Sequence, residues 1–529
     1  MAGASAVGAS YSKKIAFVYV FNLIVGVGAL ALPFAFHRAG IVSGVLVLAL
    51  NAFMAFICVT FVIEAMSSSN FMLKQERQKE EQTSLLTHDD SMSLNSMENI
   101  QNLTKKKKKK KKSELEDTPE LISYATNPFS ILERTEIGKM TEQFLGIVGK
   151  SIFYIIIIVY LFGDLAIYAV SVPTSLLKVT GPMFGLSQMG TYYIYLGIFS
   201  CVVVPFSFFN FQKTKYLQYT TLATRNIAFF LMILLSLIFI IEGHGSARNL
   251  EIFNLSMERF SKLFSVSIYA FMCHHSLPSI VSPIKDKRRL TLMFLFDFAL
   301  IFFSYVCLCY VAVFAFGDQP FEKCSNRLSD GPACQIQQLF TLNFTTYRYT
   351  IIAAFLALFP VFTLTSNYPL IAITLRNNIQ ILFERVKIVH NWKYNSLLFS
   401  AIAAIPPIIL AFVYQNIQLL VSFTGGFAGL FIQYVFPTLL VIFGRRKTSN
   451  AESSVSVQPL DTRLSAKVIR VAKSCAMYLV SKPAVVSENP HSSPFYHGFW
   501  IVGILIFSLF ALIVNSYALI KCDILDMCK

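Results

Sequence analysis

The sequence predicts an all-α, polytopic membrane protein, and three observations carry that prediction. Of its 529 residues, 55% are hydrophobic and 14% charged, with 50 Phe and a mean hydropathy of +0.58. Soluble domains carry nearer a quarter charged residues. Apolar runs of spanning length recur from end to end. Each run is continuous over ~20 residues instead of alternating over ~10, which selects spanning helices over a β-barrel.

In chain order the expected spans are 15–36, 41–66, 150–177, 191–211, 220–242, 263–283, 291–316, 350–374, 396–414, 417–443 and 497–520, eleven in all. They divide the chain into a short N-terminus (1–14), spans one and two (15–66), a polar segment (67–149), spans three to eleven (150–520) and a tail (521–529). Lysine and arginine in the loops set the orientation. One side holds Lys213, Lys215, Lys285, Lys287, Arg288, Arg289, Arg376, Arg385, Lys387, Lys393 and further bases between Arg445 and Lys482. The other holds Lys178, Arg248, Arg259, Lys262, Lys323, Arg327 and Arg348. The richer side is cytosolic, which places the N-terminus in the cytosol and the C-terminus outside or in a lumen. The net charge of +16 therefore speaks of orientation, not of nucleic-acid binding. No cleavable signal peptide is expected, because the first span holds Asn22 and glycines unlike a plain signal core.

The first span reads IAFVYVFNLIVGVGALALPFAF. Its string GVGALA matches a dinucleotide fingerprint, but that motif needs a soluble strand–helix unit around it. Gly26 and Gly28 weaken the helix beside Asn22. Backbone opens at membrane depth only where it faces a cavity or an ion, so the span reads as a broken helix lining a site. The alternative is close packing, with small residues letting two backbones approach. The sixth span supplies a matching interruption, with His274, His275, Ser276 and Pro278 near its middle. Proline removes a donor and clashes with the carbonyl one turn before. Interrupted helices at matching places in two five-span halves (15–242 and 263–443) point to a transporter site. Half-helix N-termini suit a carboxylate, and half-helix C-termini suit an ammonium or a cation.

The candidate substrate-binding residues are accordingly Val25, Gly26, Val27 and Gly28 with Tyr168, Cys273, His274 and His275. Candidate ion-coupling residues are Asn22, Asp164, Thr363 and Asn367. Asp164 stands mid-span, where a carboxyl is costly unless paired or protonated, so it either couples an ion or bonds an opened helix. Thr363 and Asn367 lie between Pro360 and Pro369, where such groups either bond their own backbone or line an ion site. His275 either carries a proton or anchors a helix contact.

Between spans two and three, residues 67–149 are polar and include the run Lys105 to Lys112. They are expected to be largely disordered and cytosolic. Glu81, Leu85 and Leu86 fit an acidic dileucine signal for a cytosolic sorting adaptor, which suits an endolysosomal or plasma membrane, and Asn127-Pro128-Phe129 is a second short pattern. Of ten cysteines, Cys324 and Cys334 share a non-cytosolic loop and are expected to pair. Asn254 and Asn343 are glycosylation candidates on that side, whereas Asn102 faces the cytosol and stays silent. No nucleophile–base motif or metal-ligand spacing suggests an enzyme or a resident cofactor.

The stretch Asn22-Leu-Ile-Val-Gly26-Val-Gly28-Ala-Leu30-Ala-Leu-Pro33 resembles the first-helix N-x-x-x-G-x-G-x-L-x-x-P signature of amino acid/auxin permease-type transporters. With YLFGDLAIYAVSVPTSL, QKTKYLQ, CHHSLPS, FPVFTLTSNYPLIAITLRNN and IQYVFP, the chain is most similar to the transmembrane protein 104 family within that group. The resemblance covers nearly all the membrane part. It implies a LeuT-type 5+5 inverted repeat with eleven helices and amino acid transport as a class. In sodium-coupled members, the first-helix asparagine and a threonine two residues before an eighth-helix proline help hold the ion. Asn22 fills the first place, but Asn367 stands at the second. Sodium at Asn22, Thr363 and Asn367, a proton, or no coupling all remain open. The expected function is secondary active transport of a small amino acid by alternating access. The alternative is an amino acid sensor that moves little solute.

Overall fold

The computed structural model describes residues 10–88, 127–183, 185–208, 215–243, 252, 256–316, 336–345, 347–383, 392–453 and 489–524. Helices dominate, with no strand among the described residues beyond one isolated bridge between Tyr11 and Ile284. The first span comprises α1 (Lys13–Ile24) and α2 (Val27–Ala39). The second to fifth spans are α3 (Ile41–His88), α4 (Ile137–Thr180), α5 (Gln188–Phe208) and α6 (Lys215–Ile241). The sixth comprises α7 (Met257–Ala270) and α8 (Leu277–Val281). Then come α9 (Leu290–Phe316), α10 (Thr350–Phe383) and α11 (Trp392–Val413). The tenth span starts with α12 (Ile417–Phe423) and passes through π-type turns into α13 (Phe436–Ser453). The chain's last long helix is α14 (Gly498–Ala518).

Eight described helices are long and apolar enough to cross a membrane, and the bent pair α1–α2 passes the same test when taken together. The other two expected spans differ. Leu397–Val413 is a shorter apolar helix, and the sixth span is divided between α7 and α8. Large apolar side chains such as Phe230, Phe303, Ile409 and Phe499 stand exposed on the outer faces of the helices. Such a surface is stable against hydrocarbon and not against water.

The second span does not stop at residue 66 as expected. As one helix, α3 runs to His88, a length of about 70 Å at 1.5 Å per residue. Its polar extension finds partners in residues 127–136. Ser67 Oγ donates to the Phe129 carbonyl at 2.6 Å, and Asn70 Oδ1 accepts from the Leu132 and Glu133 amides at 3.1 and 2.8 Å. Phe71 and Phe129 stack with centroids 4.4 Å apart, so Phe129 is a packed core group and not a displayed motif. Polarity here marks satisfied contacts, not an irregular loop. Glu81, Leu85 and Leu86 likewise fall in the last turns of α3. The lysine run, Asn102, Asn254, Cys324 and Cys334 lie outside the described residues.

Asn343 is a correction. It sits fully buried in a 3-10 turn (Phe340–Phe344), with Oδ1 accepting from the Gln337 amide at 2.9 Å. A glycan has no space on that side chain. The described cysteines Cys58, Cys201, Cys273, Cys307 and Cys309 are free thiols.

The second span is tied to the tenth by a buried ion pair. Arg445 Nε and Nη2 donate to Glu64 Oε1 and Oε2 at 2.6 and 2.8 Å, both side chains being 2% exposed. The segment before α14 completes the set: the Ser493 amide donates to Glu64 Oε2 at 2.8 Å, and Arg445 Nη1 to the Tyr496 carbonyl at 3.0 Å.

Candidate substrate site

The first span is broken beside Gly26. Val25 and Gly26 leave helical geometry, and α1 and α2 meet at 53°. A Cβ on Gly26 would meet only the Ile24 carbonyl, at 3.9 Å, so the break has open space beside it. Gly28 is different. A Cβ there would lie 2.6 Å from Ala270 Cα, so this glycine exists for the close approach of α2 to α7. The break thus falls at Gly26 and the close packing at Gly28. At the start of α2 the N-cap is Gly26, which offers no side chain to the first-turn amides.

The sixth span opens at 271–273, ahead of Pro278. The helix α7 ends at Ala270, a 3-10 turn follows over His274–Ser276, and Pro278 lies in the first turn of α8. There its missing N–H costs nothing.

The ends of the two broken helices are held together by a residue the sequence did not single out. From α9, the Tyr305 hydroxyl lies 3.0 Å from the Ile24 carbonyl and 3.1 Å from the Ala270 carbonyl, each at the end of a half-helix. From α6, Arg225 Nη1 donates to the Asn22 carbonyl at 2.6 Å, and Asn226 Nδ2 to Asn22 Oδ1 at 2.7 Å. Arg225 also lines a small cavity against the break, with Val25, Gly26, Ala29, Leu30 and Phe359 among the other walls. In this conformation it has room for about one water.

A family model described as transmembrane amino acid transporter protein matches residues 10–82 and 133–463. The chain is 42% identical over 532 residues to a transmembrane protein 104 homolog of Dictyostelium discoideum, covering 98% of this chain and 99% of that one. It is 36% identical over 542 residues to human transmembrane protein 104, covering 97% of each, and 32% identical over 479 residues to a Drosophila melanogaster homolog, covering 83% and 90%. The chain belongs to the transmembrane protein 104 family of transmembrane amino acid transporter proteins.

The site residues expected from the sequence do not all meet at the break. Asn22, Val25 and Gly26 face α6, as described. Asp164 on α4 accepts from the Tyr269 hydroxyl at 2.7 Å, which ties the third span to the sixth beside its break. Tyr168 stands one turn further along α4, partly buried. Cys273 is buried, and the His274 ring reaches the Ala55 carbonyl of α3 at 3.1 Å, so His274 anchors the break instead of lining the cavity. His275 lies against the Tyr160 ring, centroids 5.5 Å apart. On α10 the Thr363 hydroxyl donates to its own helix at the Phe359 carbonyl, 2.8 Å, the backbone-bonding alternative. Asn367 is partly buried on the same helix.

Arg225 left a signal in the sequence, since a charge inside a span marks a functional site by default. Tyr305 left none, being one of 23 tyrosines in an apolar helix.

A clasp closes the end of the bundle where α1 begins. Tyr11 pairs with the 283–285 segment through its amide to the Pro283 carbonyl (3.1 Å) and its carbonyl to the Lys285 amide (3.0 Å). Its hydroxyl donates to the Ile280 carbonyl at 2.6 Å, and Lys13 Nζ meets Asp286 Oδ2 at 2.9 Å. Partial desolvation pushes the Asp286 carboxyl upward, but hydrogen bonds from Arg288 and Lys13 outweigh it and hold the group at about 2.

Proposed function

We propose that the chain is a secondary transporter that moves a small amino acid by alternating access, built as eleven spans in a LeuT-type 5+5 repeat with its N-terminus in the cytosol. The observation that carries this reading is the pair of facing helix breaks at 25–26 and 271–273. A zwitterion needs donors and acceptors together at membrane depth, and two opposed half-helices supply both. The uncapped amides of Val27 and Gly28 take the carboxylate, and the carbonyls of the 271–273 linker take the ammonium.

The repeat is supported by which helices pack. Exchanging spans one to five with six to ten turns the pair α3–α13 into α9–α6, α4–α5 into α10–α11, and α4–α11 into α10–α5. The pair α2–α7 becomes α8–α1, and α4–α10 maps onto itself. All of these pairs are in contact.

The test is uptake by reconstituted vesicles across an amino acid panel, with sodium and proton gradients imposed separately. Accumulation of at least one amino acid is expected. Binding without uptake moves the reading to a sensor, and neither binding nor uptake overturns it.

The clasp is the cytosolic gate in this reading. Its ion pair is a third exposed on both partners and contributes little. The Tyr11 hydroxyl bond is the stronger element, at about 1 kcal/mol. Tyr11→Phe with Lys13→Ala therefore raises the open population by about tenfold, at 1.4 kcal/mol per decade. The readout is the rate at which a thiol reagent modifies Cys273, with the other cysteines replaced. An unchanged rate rules the gate out. Because Asp286 titrates at about 2, below its unfolded value, its contribution is fully present above about pH 4 and is lost only as pH falls toward 2. Asp286 itself accordingly adds no pH dependence to the gate between about 5 and 8.

A further inference from the structure

The resemblance to sodium-coupled transporters names Asn22, Thr363 and Asn367 as an ion site, and the residues do not fit a sodium ion. A cation approaching the broken end of α1 would use the Asn22 carbonyl and the Asn22 amide oxygen. Both are engaged: the carbonyl accepts from Arg225 Nη1 at 2.6 Å, and Oδ1 accepts from Asn226 Nδ2 at 2.7 Å. The Asn22 Nδ2 donates to the Val18 carbonyl at 2.8 Å, which fixes the direction of the amide. Thr363 is turned back onto its own helix.

Arg225 has no carboxylate within ion-pair distance among the described residues, and its hydrogen bond there is the one to Asn22. A charge inside a span without a counter-ion is costly and is kept for a task. A guanidinium also keeps its charge in proteins. A second cation ~4 Å away, at an effective dielectric of ~20, would bind about a thousandfold more weakly (~4 kcal/mol).

We propose that Arg225 is a resident cation: its guanidinium fills the position at the first-span break that a sodium ion would take, so the protein works without sodium. The consequence for transport rests on the function proposed above. The occupancy of the site does not, and it is tested by binding.

The experiment measures saturable binding of radioactive sodium by the full-length protein in detergent, and thermal stability in sodium chloride against choline chloride at equal ionic strength. Wild type is expected to bind no sodium saturably and to melt alike in both salts. Arg225→Ala is expected to be stabilised by low-millimolar guanidinium chloride, which leaves wild type unmoved. Arg225→Lys keeps a charge at the Asn22 carbonyl and is expected to stay folded and sodium-blind, which preserves the test if the alanine variant fails to fold. Saturable sodium binding by wild type that Asn22→Ala removes overturns the proposal. So does a folded Arg225→Ala that guanidinium does not stabilise. If the vesicle panel shows no transport while wild type still ignores sodium, the transport reading falls and the resident cation stands.

Discussion

Replacing Arg445 with leucine costs about 3–5 kcal/mol of stability, because it leaves the Glu64 carboxylate buried without its partner. Glu64→Leu is expected to cost a similar amount by stranding the guanidinium. The expectation is large because both groups are 2% exposed, bond in two places, and also hold Ser493 and Tyr496. The double replacement recovers part of the loss, since no charge is then stranded. It does not recover all of it, because the Ser493 amide and the Tyr496 carbonyl lose their partners. Thermal unfolding of the purified variants reads the cycle. A single variant that melts like wild type would show that the pair does not hold α3 to α13.

Tyr305→Phe is expected to reduce uptake at least tenfold while keeping the ring packed against Phe271 at 5.3 Å and Phe229 at 6.5 Å. Only the hydroxyl is lost, and with it the donor shared by the Ile24 and Ala270 carbonyls. Two buried acceptors left without it cost about 1–3 kcal/mol. They also free the two half-helices to separate, which on the proposed function removes the geometry that holds the substrate. Vesicle uptake and melting are measured together. Full uptake by a variant that melts lower would separate the clamp from transport and leave it a purely structural bond.

Much of this was legible in the chain. An asparagine and two glycines inside an apolar run announced the first break, because hydrocarbon tolerates no idle backbone. The string from Cys273 to Pro278 announced the second, although the opening lies before the proline and not at it. The helix of the second span runs on past the end of its apolar run. Ser67, Asn70 and Arg77 look like loop residues until residues 127–136 fold back to meet them. Charges inside spans, at Glu64 and Arg225, were visible in the sequence, but their meaning was not.

Composition and pattern by themselves determined a helical bundle in a membrane, and pointed to the two places where its helices break. Burial and backbone satisfaction are local demands, and a local string of residues records them. Tertiary structure alone decided which oxygens at those interruptions stay free. Asn22 and Arg225 are 203 residues apart, and Ile24 and Tyr305 are 281 apart. A carbonyl's partner is whatever the fold brings within 3 Å of it, and no window along the chain contains that information.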